Sequence, residues 1–196
     1  MVADPHRHFM SVEEYFELDR TSPDARYEYI DGVVTMLAEG TANHSLIAAN
    51  IISSLHTLLR GQSYRTYTSD MRVNIAGNRY VYPDVTVSCD ERDLGAVETL
   101  HYPSLIVEVL SASTEAYDRG RKFGYYRNFA TLQEYVLVGT QEQAVDLFRR
   151  ETADLWTFHA FRAGEMVILR SIAVSIPIED FYENIVWPEE ADTSQP

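Results

Sequence analysis

Ile47, Ile51, Leu55 and Leu58 follow one another at spacings of four, four and three, which lays an apolar stripe along a helix from about Asn43 to Leu59, closed by Gly61. A shorter helix begins at Met10-Ser11-Val12-Glu13-Glu14, where Ser11 as N-cap and Glu14 three residues on form the two halves of a capping box. Between these helices Tyr27-Glu28-Tyr29-Ile30 and Val33-Val34-Thr35-Met36 flank Asp31-Gly32, so Arg26 to Met36 is predicted to be a hairpin on a type I′ turn. Two further strands are expected at Tyr64 to Ile75 and Tyr80 to Ser88, joined across Ala76-Gly77-Asn78. In the second of them Val81, Pro83, Val85 and Val87 face one way and Tyr82, Asp84, Thr86 and Ser88 the other, which puts Asp84 on the polar side. Pro83 has no N–H for a ladder, so the strand should be an edge strand or bulged there.

After a polar loop from Asp90 to Tyr102, the run Leu105 to Leu110 is apolar at every position except Glu108, the pattern of a strand buried on both faces. An ionised carboxylate in such a strand costs roughly several kcal/mol unless a cation or several donors compensate it, so Glu108 needs a partner. Ser111-Ala112-Ser113-Thr114 leads into a helix from about Tyr117 to Ala130, on which Lys122, Tyr125, Tyr126 and Phe129 share the face that packs toward the sheet. Gln133 to Gly139 is a further strand. Ala144 to Arg150, Leu155 to Phe161 and Met166 to Val174 form a closing β meander, and Pro177 to Tyr182 a short last helix. This order is that of an α/β (α+β) layer with a mixed sheet, preceded by an N-terminal helix and hairpin.

Composition fits a single domain, taken as residues 1–188: the chain has 196 residues, 45% hydrophobic and 23% charged. The acidic run Glu189 to Pro196 is expected to be a disordered tail. No apolar run approaches a membrane span and Met1 to His8 lacks the apolar core of a signal peptide, so a cytoplasmic protein without a membrane partner is expected. The single cysteine, Cys89, excludes an intramolecular disulfide and a thiolate metal cluster, and its expected role is a small apolar filler. A net charge of −14 weighs against a strong grip on nucleic acid, whose affinity comes from cations that neutralise phosphates.

Against that charge stands one cation of a different kind. Of the 16 lysines and arginines only Lys122 is a lysine. Arginine cannot readily give up a proton, whereas a lysine amine is a compact charge whose pKa shifts on burial, so chemistry can require the one and not the other. The alternative is compositional bias with one leftover lysine that snorkels over apolar surface. Asp84 and Glu108, on neighbouring strands, are suited to hold magnesium or manganese with water completing an octahedral oxygen shell. An amine reaching the same place would orient or deprotonate a water and offset the charge that develops during phosphodiester hydrolysis. The structural alternative for Glu108 is an ion pair with an arginine. His44 lies on the apolar face of the long helix, where a lone histidine is more often a hydrogen-bonded structural residue than a ligand. Arg119, Arg121 and Arg127 flank Lys122 and are either a local phosphate-facing patch or a solvated helix surface.

Over nearly its whole length the chain resembles the Uma-two family of restriction endonucleases within the PD-(D/E)xK nuclease superfamily. The stretches that carry the resemblance are Tyr27-Glu28-Tyr29-Ile30-Asp31-Gly32, Gly40-Thr41-Ala42-Asn43-His44, Ser69-Asp70-Met71-Arg72-Val73, Tyr82-Pro83-Asp84-Val85, Val107-Glu108-Val109-Leu110-Ser111, Lys122 to Tyr126 and Leu132-Gln133-Glu134-Tyr135. The resemblance implies a restriction-endonuclease-like αβββαβ core, Asp84 and Glu108 as metal ligands joined by the main-chain carbonyl of Val109, and Lys122 as the catalytic lysine. Asp70 and His44 match family positions near the site, Glu28 matches a family acid, and Tyr126 falls in the matching stretch; these four are supporting candidates. The superfamily motif puts its lysine two residues after the second acid, where this chain has Leu110, so the amine must come from the following helix. The implied activity is a Mg2+- or Mn2+-dependent DNA endonuclease; the alternative is a catalytically weak or inactive nucleic-acid-binding or regulatory module on the same fold. A homodimer is expected, which would double the local basic patch.

Overall fold

The chain from Phe9 onward opens on α1 (Val12–Thr21), whose Ser11–Glu14 capping box is formed in both directions. The computed structural model describes residues 9–37, 40–75 and 77–187. β1 (Tyr27–Ile30) and β2 (Val33–Met36) turn about Asp31 and Gly32, both at positive φ as a type I′ turn requires. α2 (Ala42–Leu58) follows, N-capped by the Thr41 hydroxyl. Next come β3 (Arg65–Thr68), β4 (Arg72–Asn74), β5 (Arg79–Val81), β6 (Val85–Ser88), β7 (Thr99–Leu100) and β8 (Leu105–Val109). α3 (Glu115–Tyr117), a π-helical turn (Asp118–Lys122) and α4 (Phe123–Tyr126) run on as one composite helix. β9 (Glu134–Val138), β10 (Ala144–Arg150), β11 (Trp156–Arg162), β12 (Met166–Leu169), β13 (Val174–Pro177) and α5 (Ile178–Phe181) complete the chain.

The αβββαβ succession is α2, β3, β6, β8, the composite helix and β9. Its strands lie in a six-stranded sheet ordered β11-β10-β9-β8-β6-β3, in which β8 and β9 are parallel and the other pairs antiparallel. A five-stranded sheet, β2-β1-β5-β4-β7, and the β12-β13 pair pack around it. Ile47, Ile51 and Leu55 of α2, together with β12, β13 and α5, cover one face of the central sheet through Val85, Val107, Val136 and Leu147. Val73, Val81 and Leu100 of the second sheet and Tyr126 of α4 cover the other through Ile106, Tyr135 and Leu137. A strand covered on both faces has no polar side, which is why β8 and β9 are buried at all five positions each.

Several expectations are corrected by this packing. The stripe of α2 ends on Leu59, which is buried, and not on Leu58, which is exposed. The two long strands are each split: β3 and β6 pair in the central sheet, β4 and β5 in the second, so the hairpin passes from one layer to the other. Pro83 therefore marks a strand break, and β6 is an interior strand with Thr86 and Ser88 as buried as Val85 and Val87. The composite helix runs from Glu115 to Tyr126 and not to Ala130. Met166 to Val174 is not one strand but β12, a 3-10 turn and the start of β13, paired apart from the meander. Cys89 is exposed and fills no core. The expected tail at Glu189 to Pro196, Met1 to His8 and turn residue Ala76 lie outside the described residues.

Candidate active site

The break at Pro83 delivers Asp84 to the end of β6, beside the end of β8. Extending the register by one step beyond Val85↔Val107 sets Asp84 opposite Glu108, the cross-strand relation in which side chains meet. Asp84 is held through one oxygen: its Oδ2 accepts the Val109 N–H at 2.7 Å and lies 3.3 Å from Nε2 of His44. Its Oδ1 has no protein partner among the described residues. His44 stands in the first turn of α2, and its pKa is raised by the hydrogen bond to Asp84, against burial, with the Val109 carbonyl also favouring the charged ring. Gly40 makes room for that ring: a Cβ there would lie 2.9 Å from His44 Nδ1.

Glu108 is buried and likewise held through one oxygen. Its Oε1 accepts the Tyr126 hydroxyl at 2.9 Å and lies 2.9 Å from Nζ of Lys122; its Oε2 has no protein partner among the described residues. Asp118, Lys122 and Tyr126 recur every four residues and are all buried, so the composite helix turns acid, amine and hydroxyl inward on one face. Widened helical turns of this kind are frequent at functional sites. The ammonium is also 2.9 Å from Oε1 of Glu28, reaching in from β1, and 3.8 Å from Asp118. That Glu28 oxygen is buried without a directed hydrogen bond, so charge alone holds it.

Four carboxylates, Glu28, Asp84, Glu108 and Asp118, thus gather round one lysine and one histidine, an excess of negative charge. Burial pushes the Glu108 carboxyl up to about 8, Lys122 opposing and the three neighbouring acids adding to the rise. Burial alone would lower the Lys122 amine, but Glu108 and Glu28 outweigh it and hold the pKa well above the ordinary value. Lys122 is therefore an ammonium here, fitted to orient and to neutralise. Among the described residues no three His, Cys, Asp or Glu side chains converge as a closed metal cage. The donors on offer are an open set of hard oxygens: the Asp84 and Glu108 carboxylates and the Val109 carbonyl. Such a set suits magnesium or manganese, which keep several waters, and added positive charge would offset the excess.

Of the sequence candidates, Asp84, Glu108, Val109, Lys122, His44, Glu28 and Tyr126 come together. Asp70 does not: it is exposed in the turn after β3, and its partners there are Arg26 and Thr68. Arg119 is engaged by Glu115 and, at 2.5 Å, by Asp146, so it is no free phosphate ligand, while Arg121 and Arg127 are exposed. Asp118 was not singled out from the sequence, although its position one turn before Lys122 on the same inward face was the available signal.

The family model described as "Putative restriction endonuclease" (Uma2) matches residues 12–179. The chain is 34% identical to the Synechocystis protein slr1290 over 179 residues, 91% of this chain and 94% of that protein. It is also 34% identical to Synechocystis sll1609 over 132 residues, 66% of this chain and 74% of that protein; both relatives are described as uncharacterized. A crystal structure from Anabaena variabilis, described as "a putative nuclease belonging to DUF820", superposes with a TM-score of 0.72 at 21% identity, covering 88% of this chain and 97% of that one. No described helix is long and apolar enough to cross a membrane. With a family match over most of its length and a shared nuclease fold, the chain belongs to the Uma2 restriction-endonuclease family.

Proposed function

We propose that this protein is a divalent-cation-dependent DNA endonuclease in which Asp84, Glu108 and the Val109 carbonyl hold Mg2+ or Mn2+. The observation that carries this reading is that Asp84 and Glu108 each have one oxygen engaged by the protein and one left over. When bound, the cation supplies Lewis-acid activation of a phosphodiester and of its attacking water. Lys122, kept protonated by Glu108 and Glu28, orients that water and neutralises charge on the phosphate as it is attacked. Tyr126 and His44 fix the rotamers of Glu108 and Asp84, the service that outer partners give to metal ligands. The π turn and Asp118 bring the amine to the place that Leu110 cannot supply.

Plasmid nicking with magnesium or manganese tests this directly. Wild type should convert supercoiled DNA, while Lys122→Ala and Asp84→Ala should lose about 100-fold or more, the scale of losing one preorganised electrostatic group. Equal failure of all three across both metals would overturn it. One observation favours the second reading, a catalytically weak nucleic-acid-binding module: with Arg119 held by Glu115 and Asp146 and a net charge of −14, few cations are left for phosphate contact. Binding without cleavage in the same assay would establish it. A homodimer, which would present two such sites to the two strands, is tested by sedimentation.

A further inference from the structure

Beside these groups lies a cleft of about 340 Å³ that the proposed chemistry does not use. Thr41 and Asn43 line it from α2, Thr140 and Gln141 from the turn after β9, and Val186 and Trp187 from the segment after α5. It adjoins the catalytic groups at two points. Asn43 precedes His44, whose ring reaches Asp84, and the Thr140 hydroxyl donates at 2.8 Å to the carbonyl of Leu110, the residue after Val109. Successive Cα atoms are about 3.8 Å apart, so residues that line the cleft and residues that hold the catalytic groups adjoin on two separate elements. The Asn43 amide donates at 3.0 Å to the Val186 carbonyl and so fastens that wall to α2, while Trp187 packs against Tyr182 with ring centroids 5.5 Å apart.

Among the described residues, none that lines the cleft is charged. Such a lining offers a phosphate no side-chain cation with which to pair. An indole on which a ring can stack and an exposed Gln141 amide with donor and acceptor suit a neutral planar heterocycle with a hydrogen-bonding edge. The volume falls within the range of small-ligand sites. Resting on the phosphodiesterase reading of the adjacent groups, we propose that this cleft receives the nucleobase flanking the scissile phosphate, unstacked from its neighbours. The substrate is then single-stranded or distorted DNA, held by stacking more than by phosphate neutralisation, which accommodates the net charge of −14.

The chain has two tryptophans, Trp156 and Trp187, so Trp156→Phe leaves Trp187 as the reporter. This protein is titrated, with chelator present, with dAMP, dCMP, AMP and deoxyribose 5-phosphate. The nucleotides should quench Trp187 saturably, the base-free sugar phosphate should not, and Gln141→Ala should weaken the nucleotides at least fivefold. Stronger quenching by dAMP than by AMP supports the DNA assignment, and the reverse overturns it. No quenching, or equal quenching by the sugar phosphate, overturns the proposal. Plasmid nicking by the same protein separates the two readings: nicking without quenching removes the cleft alone, and quenching without nicking removes the nuclease reading alone.

Discussion

Nζ of Lys122 lies 2.9 Å from Oε1 of Glu108 and 2.9 Å from Oε1 of Glu28, one cation held between two buried carboxylates from different sheets. Removing a partner from a buried ion pair leaves an uncompensated charge, at a cost of about 3–5 kcal/mol. Lys122→Met should therefore destabilise the metal-free protein by that order in urea unfolding, and adding Glu28→Gln should recover part of it. A loss below about 1 kcal/mol, the level of an exposed pair, would mean that water screens the lysine.

Stability of the metal-free protein should fall as pH rises from about 5 to 8. The Glu108 pKa is raised from 4.5 to about 8 by burial, so in that window the folded chain binds more protons than the unfolded one. The penalty is absent below the unfolded pKa and complete above the folded one. His44, also raised, has the same sign: the stability it lends is present below about 6.5 and lost as pH passes its folded pKa. Lys122, raised well above its ordinary value, stays protonated throughout this range and adds no titration of its own. Chemical denaturation at several pH values should show the decline, and Glu108→Gln should flatten all of it except the parts from His44 and from Asp118, whose carboxyl burial also raises. An unchanged slope in Glu108→Gln would assign the effect elsewhere.

Gly40→Ala should mimic His44→Ala. The new methyl would meet Nδ1 of the imidazole at 2.9 Å, and the ring, at the end of a rotatable side chain, yields by leaving Asp84. Loss of such an outer partner typically costs about 10–100-fold in metal affinity or activity. Both variants should keep a wild-type melting temperature without metal to within a few degrees. If Gly40→Ala alone retains full activity, the imidazole does not position Asp84.

Much of this arrangement was legible in local pattern. The capping box at Ser11, the Asp31-Gly32 turn and the apolar run broken only by Glu108 each state their structure within a few residues, and the lone lysine marked the composite helix. What escaped depends on contacts between distant segments. Nothing near Pro83 says that the chain crosses between two sheets there, so a break looked like an edge or a bulge. Leu58 and Leu59 both extend a helical stripe, and only the packed sheet selects Leu59. Arg119 looked like a phosphate ligand because Asp146, its partner, lies a strand and a loop away. Asp118 was readable from its spacing to Lys122, yet its significance depends on Glu28 arriving from the other sheet.

Metal should stabilise the fold, and two isosteric variants separate ligation from charge relief. A cation at 100 times its Kd adds about 2.7 kcal/mol, and for a chain of this size each kcal/mol shifts the melting temperature by about 2–4 °C, so manganese should raise it by roughly 5–10 °C. Asp84→Asn keeps an oxygen for the Val109 N–H, so its metal-free melting temperature should stay near wild type while the manganese shift disappears. Glu108→Gln also loses the shift, but it removes the buried carboxyl whose ionisation opposes folding at pH 8, so without metal it should melt higher than wild type at that pH. Different metal-free behaviour with a common loss of the manganese response identifies both acids as ligands. A full manganese shift in either variant removes that residue from the ligand set, whatever its effect on cleavage.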